Sequence, residues 1–117
     1  MQPTTIAQVD ADTTAAQLAA GDPTMVVLDV REDEEWRFGH APGALHIAMG
    51  TVQARVDEID RTKRIVCVCR SGNRSSQVTA WLSNQGFDAV NLTAGMNAWS
   101  SFGHPLVTFD GRPGTVI

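Results

Sequence analysis

Short apolar runs alternate along this chain with charged or amphipathic stretches, a rhythm that predicts strands alternating with helices. Residues 6–9 form a short first strand. Thr13 or Thr14 is placed to N-cap a helix carrying Ala15, Ala16, Leu18 and Ala19, which Gly21 ends and Asp22-Pro23 turns. Residues 25–30 are apolar except for Asp29, the pattern of a parallel strand buried on both faces. The charged stretch 31–37, with Trp36 and Phe38 as apolar contacts, reads as one or two helical turns. Residues 39–44 are a turn and 45–47 a short strand. Val52, Val56 and Ile59, at spacings of four and three, predict one face of an amphipathic helix. A second buried strand covers 65–68. A helix over 75–85 buries Val78, Trp81 and Leu82, a strand follows over 87–92, and a helix over 93–101 holds Met96 and Trp99. Beyond Gly103 the prolines and glycines predict an irregular tail that frays.

Strands alternating with helices imply βα units and a mostly parallel sheet flanked by helices, an α/β fold. The 117 residues suit a single domain over 1–117, with a core over about 5–104 and a tail over 105–117. Ordinary globular composition, 43% hydrophobic and 19% charged, makes a packed core the expectation. The net charge of −4 argues against general nucleic-acid binding, which needs a basic face. No apolar run approaches the ~20 residues of a membrane helix, so no membrane partner is expected. Residues 1–12 lack the basic and apolar regions of a secretory signal, which makes the cytoplasm the expected compartment.

The chemistry concentrates after the strand 65–68, since ligands of parallel sheets bind beyond the carboxyl ends of the strands. There the chain reads Cys69-Arg70-Ser71-Gly72-Asn73-Arg74-Ser75 and runs into a helix. A helix N-terminus offers unpaired N–H groups and a positive dipole end, Gly72 lets loop amides turn inward, and Arg70 and Arg74 add positive charge. In such a cradle a cysteine ionises more readily than its usual pKa of about 8.5 allows. Cys69 is therefore the candidate nucleophile. Cys67, inside the strand, reads as a small buried hydrophobe. Two residues apart in an extended segment, the two thiols are poorly placed for a disulfide.

Four landmarks occur in order: Leu28-Asp29-Val30-Arg31 with Glu35 and Trp36; residues 39–44 followed by His46-Ile47; the Cys69 loop into Ser75; and Leu92 with Gly95-Met96 and Trp99. Over nearly its whole length the chain resembles the rhodanese family. The resemblance implies a three-layer fold around a central parallel sheet, and a cysteine that takes a sulfane sulfur from a donor such as thiosulfate. The sulfur then passes to a thiol, a protein or cyanide. It assigns the persulfide to Cys69 and the binding of a small anionic donor to Arg70, Ser71, Gly72, Asn73, Arg74 and Ser75. It implies no metal and no organic cofactor. Ala94, where the family often has glycine, and Ala41, where it has a larger apolar residue, depart from the pattern.

Other polar residues have plainer readings. His40 belongs to a turn, His46 and His104 lack companions at metal-ligand spacing, and Asp29 and Arg31 read as ion-pairing residues that fix the next segment, with Glu35 the expected partner of Arg31. Two other functions share parts of the pattern. One is a rhodanese-like binding or regulatory module without turnover. The other is a cysteine phosphatase or arsenate reductase, whose C-x5-R signature the chain misses, because Arg74 follows Cys69 after four residues and not five.

Overall fold

A computed structural model describes residues 6–117. Five strands, β1 (Ala7–Val9), β2 (Met25–Asp29), β3 (Leu45–His46), β4 (Arg64–Val68) and β5 (Asp88–Leu92), form one sheet in the order β1-β5-β4-β2-β3. Every pairing is parallel. Four α-helices join them: α1 (Ala11–Ala19), α2 (Asp33–Phe38), α3 (Asn73–Asn84) and α4 (Gly95–Ser101). Among the described residues no helix is long and apolar enough to cross a membrane.

Strand periodicity divides the core in two. On β4, Ile65 and Cys67 face α3, where they meet Val78 and Leu82, and Cys69 follows on the same side. Val66 and Val68 point to the opposite face, toward Ala11 of α1 and Met96 and Trp99 of α4. Both faces are covered, which is why β2 and β4 read as near-continuous apolar runs. Leu28, Ile65 and Leu82 have no exposed surface, and each contributes about 2 kcal/mol by leaving water. Central β4 thus carries Cys69 at its carboxyl end, in the crevice where the chain turns toward β5 on one side and β2 lies on the other.

Local chemistry corrects several sequence expectations. The cap of α1 is Asp10, whose carboxylate accepts from the Thr13 N–H at 2.7 Å, so this helix begins before either threonine. The Val52, Val56 and Ile59 segment is not an α-helix but two 3-10 turns, Met49–Thr51 and Val56–Glu58. Spacings of three place side chains on one side of a 3-10 turn as well as of an α-helix, so that pattern does not separate the two. Helix α3 starts at Asn73, two residues early, because Gly72 takes a left-handed φ of 103° and caps it. The tail is tied down rather than frayed. Val107 and His40 exchange backbone bonds at 2.9 and 3.0 Å, and the Thr115 N–H reaches the Phe38 carbonyl at 2.7 Å. Gly39 and Gly114 permit that close approach, since a Cβ on Gly114 would stand 2.6 Å from the Gly39 Cα.

Ala94, the N-cap of α4, is the one non-glycine among the described residues with positive φ, at 59°. A Cβ in the left-handed region costs on the order of 1 kcal/mol, part of which glycine loses again through its freer unfolded chain. Ala94→Gly is expected to raise stability by about 0.5–1 kcal/mol in urea unfolding, with an unchanged denaturant slope.

Candidate active site

The segment after β4 folds as a cup around the Cys69 sulfur. The Gly72 N–H donates to Cys69 Sγ at 3.1 Å, and the Ser75 hydroxyl stands 3.3 Å from the same atom. The cup holds its amides inward because its carbonyls are held outward. Met96 N–H donates to the Cys69 carbonyl at 2.8 Å and Asn97 N–H to the Arg70 carbonyl at 2.9 Å, both from the first turn of α4. Only glycine fits at 95, where a Cβ would lie 2.3 Å from the Cys69 carbonyl oxygen.

Cys69 is 1% exposed, so its sulfur lies at the floor of the cup. Burial pushes its thiol pKa up; the Ser75 hydroxyl, when its proton is turned to the sulfur, and the Ser75, Gly72 and Ser71 N–H groups outweigh this and hold it below its ordinary value. Cys67 lacks such a cradle. Burial pushes its thiol up to about 12, and the contact with Thr79 recovers little of that. Two free cysteines on one strand face therefore differ in acidity through the amides that surround only one of them.

The other residues singled out in the sequence are placed as follows. Ser71 and Arg70 are exposed at the rim, and Asn73 is exposed at the start of α3. Arg74 forms a fork with Glu35 at 2.6 and 2.9 Å, linking α3 to α2. Arg31 does not pair with Glu35. It is fully buried against Asp29, with Nη2 to Oδ2 at 2.8 Å, and also donates to the Gly39 carbonyl. Positions 29 and 31 fall on one side of an extended chain, which decides between the two carboxylates. His40 donates through Nδ1 to the Trp36 carbonyl and His46 through Nε2 to the Arg31 carbonyl, each at 2.8 Å. Both rings stack on Trp36, at centroid distances of 3.5 and 4.7 Å, which stiffens α2 behind Glu35.

Sequence reasoning missed Asn91. This residue of β5 is 4% exposed and accepts the Ser75 hydroxyl at 2.6 Å. One signal for it existed, a polar residue within the apolar run Ala89-Val90-Asn91-Leu92. A cavity of about 530 Å³ lined by Ala15, Leu18, Pro42, Trp99 and His104 lies on the α1–α4 side, and none of the cup residues lines it.

The chain matches the rhodanese-like domain family over residues 10–102. It is 35% identical over 105 residues to a sulfurtransferase of Allochromatium vinosum, covering 89% of this chain and 97% of that protein. It is 45% identical over 78 residues to YtwF of Bacillus subtilis, which carries a provisional sulfurtransferase name, covering 67% of this chain and 76% of that one. Among solved structures, it is similar to a rhodanese-like domain protein from Staphylococcus aureus, with TM-score 0.75 and 33% identity over 80% of this chain and 91% of that one. A rhodanese-related protein from Thermoplasma volcanium superposes with TM-score 0.80 at 27% identity, over 86% of this chain and 97% of that one.

The Glu35–Arg74 fork makes stability depend on pH. The Arg74 guanidinium holds the Glu35 carboxyl below its ordinary 4.5, against a smaller opposing effect of burial. A pKa lowered on folding stabilises fully above the unfolded value and ceases to do so as pH falls through the folded one. Glu35→Gln is therefore expected to destabilise by on the order of 1 kcal/mol at about pH 6, with the difference from wild type closing as pH falls below the ordinary 4.5 and through the lowered folded value. Thermal melts across that range check it.

Proposed function

The chain belongs to the rhodanese-like domain family, and on that premise we propose that it is a sulfurtransferase with Cys69 as the sulfur carrier. In the first step the Cys69 thiolate attacks the outer sulfur of a small anionic donor such as thiosulfate. A bond forms between Cys69 Sγ and that sulfur, the donor's S–S bond breaks, and sulfite leaves with the electron pair. In the second step an acceptor thiolate, or cyanide, attacks the outer sulfur of the persulfide and restores the Cys69 thiolate. The two steps balance without an external oxidant, metal or organic cofactor.

The observation that carries this reading is the cup itself, a sulfur met by the Gly72 N–H at 3.1 Å inside a loop whose carbonyls are turned outward. The same N–H groups favour a thiolate before transfer and the anionic outer sulfur after it. Gly72 and the Ser71 and Ser75 amides are the groups that hold the anion, Asn73 and Arg74 begin the helix behind them, and exposed Arg70 offers its charge to the donor at the rim. The 1% exposure of Cys69 suits a donor that is small or that presents a terminal sulfur on a narrow stem. A cysteine phosphatase or arsenate reductase is less well supported, because Arg74 follows Cys69 after four residues and not five and is engaged by Glu35. A binding module without turnover has no need to set one thiol pKa below its ordinary value and leave its neighbour at about 12.

Intact mass after brief exposure to thiosulfate tests the reading. A gain of one sulfur atom is expected in the wild type and in Cys67→Ser, and none in Cys69→Ser. Loss of the gain in Cys67→Ser with its retention in Cys69→Ser would move the carrier to the wrong cysteine and refute the assignment.

A further inference from the structure

Asn91 touches the cup through a hydroxyl that has two claimants. Its orientation follows from its neighbours. One amide atom lies 3.3 Å from the Gly72 carbonyl oxygen, which only accepts, so that atom is Nδ2; it also stands 3.2 Å from Gln8 Oε1. Oδ1 is left facing Ser75 Oγ at 2.6 Å, and because Oδ1 only accepts, the Ser75 hydroxyl provides the proton. A hydroxyl has one proton. The contact with Asn91 is 2.6 Å and that with Cys69 Sγ is 3.3 Å, and Ser75 itself is fully buried.

We infer that Asn91 is a positioning residue that withholds the Ser75 proton from the Cys69 sulfur. With the proton on Asn91, Ser75 turns a lone pair toward Cys69 and accepts from its S–H, giving a run of bonds from Cys69 through Ser75 to Asn91 that favours the neutral thiol. When the thiolate forms, the hydroxyl can serve it only by giving up the bond to Asn91. The sulfur anion is thus held mainly by backbone N–H groups, and Asn91 limits how far its acidity can rise. That limit has chemical value, because a thiolate stabilised too strongly loses nucleophilicity.

The inference rests on Cys69 being the reacting sulfur, but its test does not require sulfur transfer. The measurement is the pH profile of Cys69 alkylation by iodoacetamide, read by peptide mass so that Cys67 is counted separately. Ser75→Ala is made in the wild type and again in Asn91→Leu. In the wild type, removing the hydroxyl is expected to leave the midpoint nearly in place. In Asn91→Leu, where the freed hydroxyl turns to the sulfur, removing it is expected to raise the midpoint by about one pH unit, the worth of one buried hydrogen bond. Disturbance of Gly72 is common to both Asn91→Leu proteins and cancels in the comparison. Equal rises in the two backgrounds would overturn the inference, since Ser75 would then serve the sulfur whatever stands at 91. If Asn91→Leu does not fold, Asn91→Asp, which keeps the acceptor, is the second background, and a rise of about one unit there or in the wild type overturns it equally. A profile that couples as expected in a protein that takes no sulfur from thiosulfate would count against the function and leave the role of Asn91 standing.

Discussion

Everything at the site depends on where two backbone carbonyls point. The peptide groups after Cys69 can present N–H groups inward only if their oxygens have partners outside, because a buried carbonyl without one is costly. The first turn of α4 supplies those partners through the Met96 and Asn97 N–H groups, and Gly95 lets the two backbones meet without a side chain between them. This joins the fourth sequence landmark to the third in physical terms: the Gly95-Met96 segment is the mould against which the Cys69 cup is cast.

Electrostatics then sorts the charged groups by task. Asp29 with Arg31, fully buried, anchors the end of β2, and Glu35 with Arg74 clamps α2 to the start of α3 beside the cup. With Arg74 held by Glu35, the backbone groups that the cup turns to the Cys69 sulfur are amides. Fixed dipoles need no reorganisation when charge moves from one sulfur to the next, which suits a site that handles an anion before and after each transfer. Asn91 adds a counterweight from the neighbouring strand.

The sequence made some of this legible and hid the rest for identifiable reasons. Buried parallel strands showed as apolar runs at β2, β4 and β5, because both faces of this sheet are covered. The cup was readable from Cys69 to Ser75, since the glycine and helix start that shape it are contiguous in the chain. Partners distant in sequence were not readable: that Arg74 takes Glu35, 39 positions away, follows from helix placement and not from spacing. Asn91 was concealed inside a strand, where one polar residue in an apolar run hints at a partner without naming it. The 3-10 turns near Val52 share their spacing of three with an α-helix, and the tied tail depends on close backbone approach at Gly39 and Gly114, which no hydrophobic pattern encodes.

The most direct measurement is a crystal structure of the protein after soaking in thiosulfate. The account predicts a second sulfur bonded to Cys69 Sγ, within hydrogen-bond reach of the cup's N–H groups, with the Met96 and Asn97 bonds to the loop carbonyls unchanged. An unmodified Cys69 in protein that has gained sulfur elsewhere, or a persulfide whose outer sulfur points away from those amides, would contradict it.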